Sequence, residues 1–393
     1  MSKRLGLVGV ILLMIAIGIW MALPKRSSLP GSVARRTDTE IPAPEEQVQP
    51  AGSPGKPVAA SDPWTRPSAK VAARNLRRVR FALLRGFGAS ERMVNRLTDG
   101  DILAVIQELK QQARRGDAAA ANILEYMAYS TCGFAGVNGE GSPSQAQQLL
   151  DARALPVQDS EWIRIAIQEK NANDKQMVAA CQQAIDKKEI EAWVTSAADQ
   201  GNGASRWLLS RYSSSGSSAF KEQKLMDAAD AGYPEAQAFL AQGLMNGTAH
   251  LPAPIADDDA GNLLKVAADS LPHAESLLAV CEFKGCPGIE TDIPSAVAHA
   301  REAAQQGSFD AIIQIGPQLQ TSQMDPDEVM AWNLAGAMLS QQGCSYGGLA
   351  VQWMVSATSA LTSNSVSDKA KTLANQYWQE FGAQMMAKIG CGS

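Results

Sequence analysis

Catalysis or metal binding in this 393-residue chain would have to start from three histidines, six cysteines, a serine-rich run and an aspartate triplet. His250 precedes a proline-containing loop, His273 sits at the start of an Ala-rich helical stretch, and His299 lies inside another. None has the His-x-x-x-His or His-Glu-x-x-His spacing that puts two ligands on one helical face. They read as surface or packing histidines. The run Ser213–Ser218 lacks a nucleophile-elbow pattern and reads as a loop. Asp257, Asp258 and Asp259 precede a helical stretch, where carboxylates suit the N-terminal dipole. Gly136, Gly139 and Gly141 have no preceding strand to make a phosphate-binding turn. The residues point to no catalytic, cofactor or metal site.

The cysteines, Cys132, Cys181, Cys281, Cys286, Cys344 and Cys391, are even in number. Three disulfides in an oxidising compartment fit that count, and so do six buried thiols. The N-terminus bears on the choice. Residues 1–4 carry Lys3 and Arg4, residues 5–23 are uninterruptedly apolar, and Pro24, Lys25 and Arg26 end the run. At about 1.5 Å per helical residue such a run nearly spans a bilayer core. A cleaved signal peptide is the competing reading, but Trp20, Met21 and Ala22 make a poor cleavage site and no lipobox cysteine follows. We therefore expect one transmembrane signal anchor. Lys3 and Arg4 mark its cytoplasmic side, although Lys25, Arg26, Arg35 and Arg36 follow it. The cysteines break that tie. They favour a single pass through a bacterial inner membrane with the body in the periplasm.

Residues 24–68 are rich in Pro, Ala, Ser and Gly and read as a disordered tether. Residues 69–100 read as a basic N-terminal helix of the body. Ala72, Leu76, Val79 and Leu83 form its apolar stripe, with Lys70, Arg74, Arg78 and Arg85 opposite and Phe81 interrupting them. Arg74, Arg78 and Arg85 could meet anionic lipid or an acidic partner, or form only a solvated face. Residues 101–391 alternate amphipathic helices with short breaks. Asp101–Arg115 has Ile102, Val105, Ile106 and Leu109 on one face, with Gly116 placed to cap it. Helix starts are expected at Ser142–Ser144, Asp159–Glu161, Asp292 and Asp325. No stretch alternates with a period of two, so no sheet is expected. A net charge of -5, spread along the chain, argues against nucleic acid as a partner.

The body is organised by a recurring tag, an Ala pair, two variable residues and Gly. It occurs as Ala197–Gly201, Ala228–Gly232 and Ala303–Gly307, with a degenerate copy, AADSL, at Ala267–Leu271. After each tag an Ala is followed four residues later by Leu or Ile: Ala204 and Leu208, Ala236 and Leu240, Ala274 and Leu278, Ala311 and Ile315. Gly116, Ala120 and Leu124 form an outlying copy. Successive anchoring alanines are 32, 38 and 37 residues apart, the period of a helical-hairpin repeat.

These residues resemble the Sel-1-like repeat, a relative of the tetratricopeptide repeat. Its pattern runs A-x-x-x-L-G-x-x-Y-x-x-G, then a loop, then A-x-x-W-x-x-x-A-A-x-x-G. Ala236, Leu240 and Gly247 match its first helix, as do Ala274, Leu278 and Gly285, and Ile315 with Gly316 reproduces the L-G step. Ala192, Trp193, Ala197, Ala198 and Gly201 match the second helix, and Ala331 with Trp332 echoes it. The match is clearest over 189–319. Leu209 departs at a small position, Leu244 and Glu282 depart at the Tyr, and Leu271 departs at a Gly. The 85 residues from Gly116 to Gly201 leave room for two divergent, helical units. Asp368–Phe381 looks like a C-terminal capping helix.

The resemblance implies an all-α fold, an α/α solenoid of Sel-1-like hairpins preceded by one transmembrane helix. Within it the cysteines acquire partners, Cys281–Cys286, Cys132–Cys181 and Cys344–Cys391, although fifteen connectivities are formally possible. A zinc site at Cys281 and Cys286 lacks a second close pair. The resemblance further implies a non-enzymatic adaptor or scaffold that takes another protein or peptide in a concave groove. Two alternatives stand beside it. One is a cell-wall- or β-lactam-related ligand-binding protein or hydrolase, as proposed for some cysteine-rich relatives. The other is an envelope sensor docking on anionic lipid.

Overall fold

Where the sequence places a tag glycine, the chain leaves a helix through a left-handed residue. The computed structural model describes residues 66–132, 157–214, 216–245, 257–308, 311, 325–344 and 366–391. The expected anchor at 5–23 and tether up to residue 65, the start at Ser142–Ser144, Gly136–Gly141, His250, Gly247, Ile315 and Gly316 lie outside them. Among the described residues no helix is long and apolar enough to cross a membrane, and no strand forms.

Fifteen α-helices are described, and we number them in chain order. α1 is Ala69–Ala82, followed by a 3-10 turn at Leu83–Phe87, and α2 is Glu91–Thr98. Then come α3 Ile102–Arg114, α4 Ala118–Tyr126, α5 Val157–Ala184, α6 Lys187–Asp199, α7 Gly203–Tyr212, α8 Ser218–Asp230 and α9 Pro234–Met245. The rest are α10 Asp257–Ala268, α11 Pro272–Lys284, α12 Ile293–Gln305, α13 Pro326–Gln341, α14 Asp368–Tyr377 and α15 Ala383–Ile389.

The tags explain this punctuation. Gly201, Gly232 and Gly307 have φ of 96°, 77° and 86°, a region only glycine enters at little cost. The amide of Gly201 donates to Ala198 O and that of Asn202 to Ala197 O, and the same two bonds recur at Ala228–Tyr233 and Ala303–Ser308. Each tag is thus a Schellman stop whose paired alanines supply the accepting carbonyls. At the degenerate tag Leu271 replaces Gly and is extended (φ -123°), and the amides of Ser270 and Leu271 both fall on Ala267 O. Helix starts are capped by side chains: Asp186, Asn202, Ser217 and Asp292 each accept from a backbone amide two or three residues on.

Neighbouring helices pair as α3 with α4, α7 with α8, α9 with α10, α11 with α12 and α13 with α14. Successive pairs also meet, α8 on α9 and α10 on α11. The anchoring residues do the packing: Ala236, Leu240, Ala274, Leu278, Ala120, Leu124 and Leu208 are buried, and Ala204 is half-buried. Small alanines let the helices approach closely, and the leucines fill the seam.

Four elements differ from expectation. Residues 69–100 are two helices and not one, because Gly88 (φ 95°) turns the chain and Ser90 caps a new start. The face opposite the predicted stripe is buried as well: Phe81 and Arg78 are inside while Leu83 is exposed. The helix starting near Asp159 runs 28 residues to Ala184, since no Gly or Pro interrupts it, and packs on α1 and α3 instead of forming a hairpin. The C-terminal cap does not stop at Phe381. It passes through a π-turn, Trp378–Gly382, into α15, with Trp378 buried.

α1 and its 3-10 extension tie distant parts of the body together. Leu76 packs with Ala166 of α5, Val79 joins a core with Ala279, Ala300 and Trp332, and Phe81 joins the N-terminal core with Leu109 and Leu124. Phe87 meets Tyr126 at 5.0 Å, and Asn75 Nδ2 donates to Gln342 O at 2.7 Å. A Cβ on Gly343 would fall 2.3 Å from Ala72 O, so only glycine admits this approach. The chain's own segment therefore covers parts of α4, α11 and α13.

Candidate functional site

The three arginines considered for an anionic surface are placed otherwise. Arg78 is buried, pairs with Glu91 and donates to Asn95 Oδ1. Arg85 reaches Glu91 at 2.5 Å, and Arg74 reaches Asp99 at 3.0 Å. α2 supplies or adjoins these acceptors, Glu91 being shared by Arg78 and Arg85. Arg78 is thus inside the fold, while Arg74 and Arg85 are partly exposed and share their charge with Asp99 and Glu91.

His299 is the histidine that gathers other chemistry. Its Nδ1 lies 2.8 Å from Glu282 Oε2 and 3.4 Å from Ser295 Oγ, while Ser295 Oγ donates to Glu282 Oε1 at 3.0 Å. A nucleophilic triad needs the acid on one ring nitrogen and the serine on the other. Here both meet Nδ1, and the serine proton goes to the carboxylate. The cluster orients α11 against α12 and does not activate Ser295. Glu282 also lines an open cleft with Lys265, Glu290 and Asp292. Two turns away on α11 Glu275, which is buried, accepts from Gln306 Nε2 at 3.4 Å, and burial with the nearby Glu302 charge pushes its carboxyl up to about 7. Among the described residues no group of His, Cys, Asp and Glu is arranged to hold a metal.

A second cluster joins the ends of α4 and α7 to the start of α6. Glu125 is fully buried and neither carboxyl oxygen has a hydrogen-bond partner. Burial, and then the Glu191 charge, raise its carboxyl to about 7 against the opposing pull of Lys187. Glu191 accepts from Ser213 Oγ at 2.6 Å and from Ser214 Oγ at 2.8 Å, so the serine-rich loop serves as its donor set. Tyr129 and Tyr212 stack at 5.5 Å, Tyr126 meets Tyr212 edge-on at 6.4 Å, and Lys187 Nζ lies 4.4 Å from the Tyr129 ring centre. Burial raises all three phenols. Beside them Arg211, which is exposed, lies 4.2 Å from the Phe239 ring centre and 5.4 Å from that of Trp207.

Sequence reasoning gave Glu125 no role and named Glu282 only as a departure from the repeat. Both had a signal. Glu125 follows Leu124 where the repeat pattern has a small residue, and Glu282 stands where it has Tyr. A carboxylate in a position that must be small or aromatic is a buried charge. Asp257 begins α10, as the aspartate triplet suggested. The structure joins Cys132 to Cys181, Cys281 to Cys286 and Cys344 to Cys391, with Cα separations of 6.1, 5.0 and 5.5 Å.

Helical hairpins in tandem, stopped by glycine tags and stapled by disulfides, define the class as an all-α repeat protein. No family model matches the chain, and no curated protein matches it. Among solved structures the chain is similar to a Sel1 repeat protein from Oxalobacter formigenes, at 19% identity and TM-score 0.36, covering 69% of this chain and 89% of that one. It is also similar to a protective antigen present in uropathogenic Escherichia coli strains displaying an SLR fold, at 16% identity and TM-score 0.30, covering 73% and 75%.

Proposed function

We propose that this chain is a membrane-anchored helical-repeat scaffold with its body in the periplasm, binding another protein or peptide. The observation that carries the reading is the exposed Arg211 guanidinium lying over the Phe239 and Trp207 rings, which themselves meet at 5.4 Å. Trp and Arg are the side chains that most often dominate interface energies, and pre-ordering them lowers the entropic cost of docking. The apolar run at 5–23 supports the anchor, and three disulfides suit an oxidising compartment. The groove reading is narrowed: α1 fills part of the repeat face, and the partner is assigned to the α7–α9 surface that bears Arg211. A hydrolase finds less support, because the Ser295–His299–Glu282 connectivity is not that of a nucleophile and its base.

The test is photo-crosslinking of the full chain in intact envelopes. A saturable partner should be captured, with capture falling about tenfold or more in Arg211→Glu, an exposed position that leaves the core alone. Capture that is absent, or indifferent to Arg211, refutes the scaffold reading. Separately, alkaline carbonate should leave the protein with the membranes, and deleting residues 5–23 should release it.

A further inference from the structure

Three of the described arginines lie over aromatic rings. Arg66 lies 5.6 Å from the Trp162 ring centre, Arg114 5.8 Å from that of Trp193, and Arg211 4.2 Å from that of Phe239. The first two also hold a carboxylate of their own chain: Arg66 pairs with Asp159, and Arg114 reaches Glu189 Oε1 at 2.8 Å. Arg211 has the rings and lacks the acid, for no hydrogen bond or ion pair reaches its guanidinium among the described residues. A ring occupies only the face of a guanidinium, and the N–H groups around its edge remain for a planar anion. The nearby carboxyls do not supply one. Glu125 is fully buried, Glu191 accepts from Ser213 and Ser214, and Glu235, one turn before Phe239 on α9, lies against Gly86.

We propose that Arg211, set over Phe239 and Trp207, is the seat for a side-chain carboxylate of an acidic peptide partner. The partner completes from outside the arrangement that Asp159 and Glu189 complete from inside. The rings hold the guanidinium in place, so little freedom is lost when its fork closes on a carboxylate. Trp207, Phe239 and Tyr212 are half-buried, so the residues flanking the acid meet apolar ring surface, which suits an aromatic neighbour. Further along the cluster Lys187, over the Tyr129 ring, and Glu191, whose charge raises the Tyr129 phenol, are opposite in sign. The excess positive charge therefore lies at Arg211. The whole chain carries a net charge of -5, so an acidic peptide is not drawn to it in general and must be held locally. The inference rests on the peptide-binding reading and names the partner chemistry.

The probe is the peptide Glu-Phe-Glu-Phe-Glu, acetylated and amidated at its ends, titrated calorimetrically into the full chain. The neutral control is Gln-Phe-Gln-Phe-Gln with the same ends. Saturable binding is expected, about tenfold tighter for the glutamate peptide. Arg211→Gln, at an exposed position, should remove that preference, and Arg211→Lys, which keeps the charge and loses the fork, should restore only part of it. Phe239→Leu, which takes away the supporting ring, should reduce the preference several-fold. Arg114→Gln, whose acid is internal, should leave it unchanged. Absence of saturable binding, equal affinity for the two peptides, or a preference that survives Arg211→Gln overturns the site, as does an equal loss in Arg114→Gln. An envelope partner captured through Arg211 but not displaced by the glutamate peptide would leave the scaffold reading standing and remove this one.

Discussion

Glu125 holds its proton to a far higher pH than an exposed glutamate, because burial and the Glu191 charge both disfavour its carboxylate. The folded carboxyl titrates near 7 against 4.5 for the ordinary value, so the native state binds more protons than the unfolded chain between those limits. Stability must therefore fall as pH rises from about 4.5 to 7, by roughly 3 kcal/mol from this residue. Glu125→Gln should flatten that part of the curve, gaining most over wild type near pH 8 and least near pH 5 in urea titrations. Glu282 contrasts with it. Its two oxygens find Ser295 and His299, so Glu282→Ala should strand both partners and cost about 1–3 kcal/mol at neutral pH, read by thermal melting. Neither role follows from hydropathy or spacing. Each is fixed by which helix lies opposite, and the pattern shows only that a charge occupies an unexpected slot.

Among the helices, those whose ends carry a glycine tag were readable from the sequence, because a left-handed stop is a local requirement met by one residue type. Gly232→Ala should cost about 1 kcal/mol, the penalty of φ 77° alone, since nothing lies within 4 Å of the added methyl. Gly343→Ala adds a clash, 2.3 Å to Ala72 O, and should cost about 3 kcal/mol or more by calorimetry. α5 was not readable in length or partner. Its sequence carries a helix-starting cluster at Asp159, but its docking on α1 and α3 depends on residues far away in the chain, Trp162 and Ala166 against Ala69, Ala72 and Leu76. The disulfides differ in the span they close. Cys281–Cys286 closes a turn of 5 residues and Cys344–Cys391 a span of 47. Chain entropy gives about 2 and about 4 kcal/mol respectively, so Cys344→Ser/Cys391→Ser should lower the melting temperature more than Cys281→Ser/Cys286→Ser.

Across the molecule α1 is the common member of separate cores, giving Phe81 to one and Val79 to another. A repeat array melts unit by unit when only neighbours touch. α1 adds long-range coupling, so the body should unfold in one calorimetric transition. Val79→Asp, which puts a charge into the C-terminal core and leaves Phe81 seated, should split it in two. A single unaltered transition would show that the units were never coupled through α1.

The residues just before α1 have a mechanical consequence. Trp162 Nε1 donates to Pro67 O at 2.8 Å, and Arg66 pairs with Asp159, so the chain is clasped to α5 before its own first helix begins. Cys181, on the same α5, is bonded to Cys132 at the end of the turn after α4. A load applied at Arg66 would pass through these non-covalent contacts to α5 and, through Cys181–Cys132, to the end of the turn after α4. Such a linkage would keep a pull at Arg66 from peeling α1 off first.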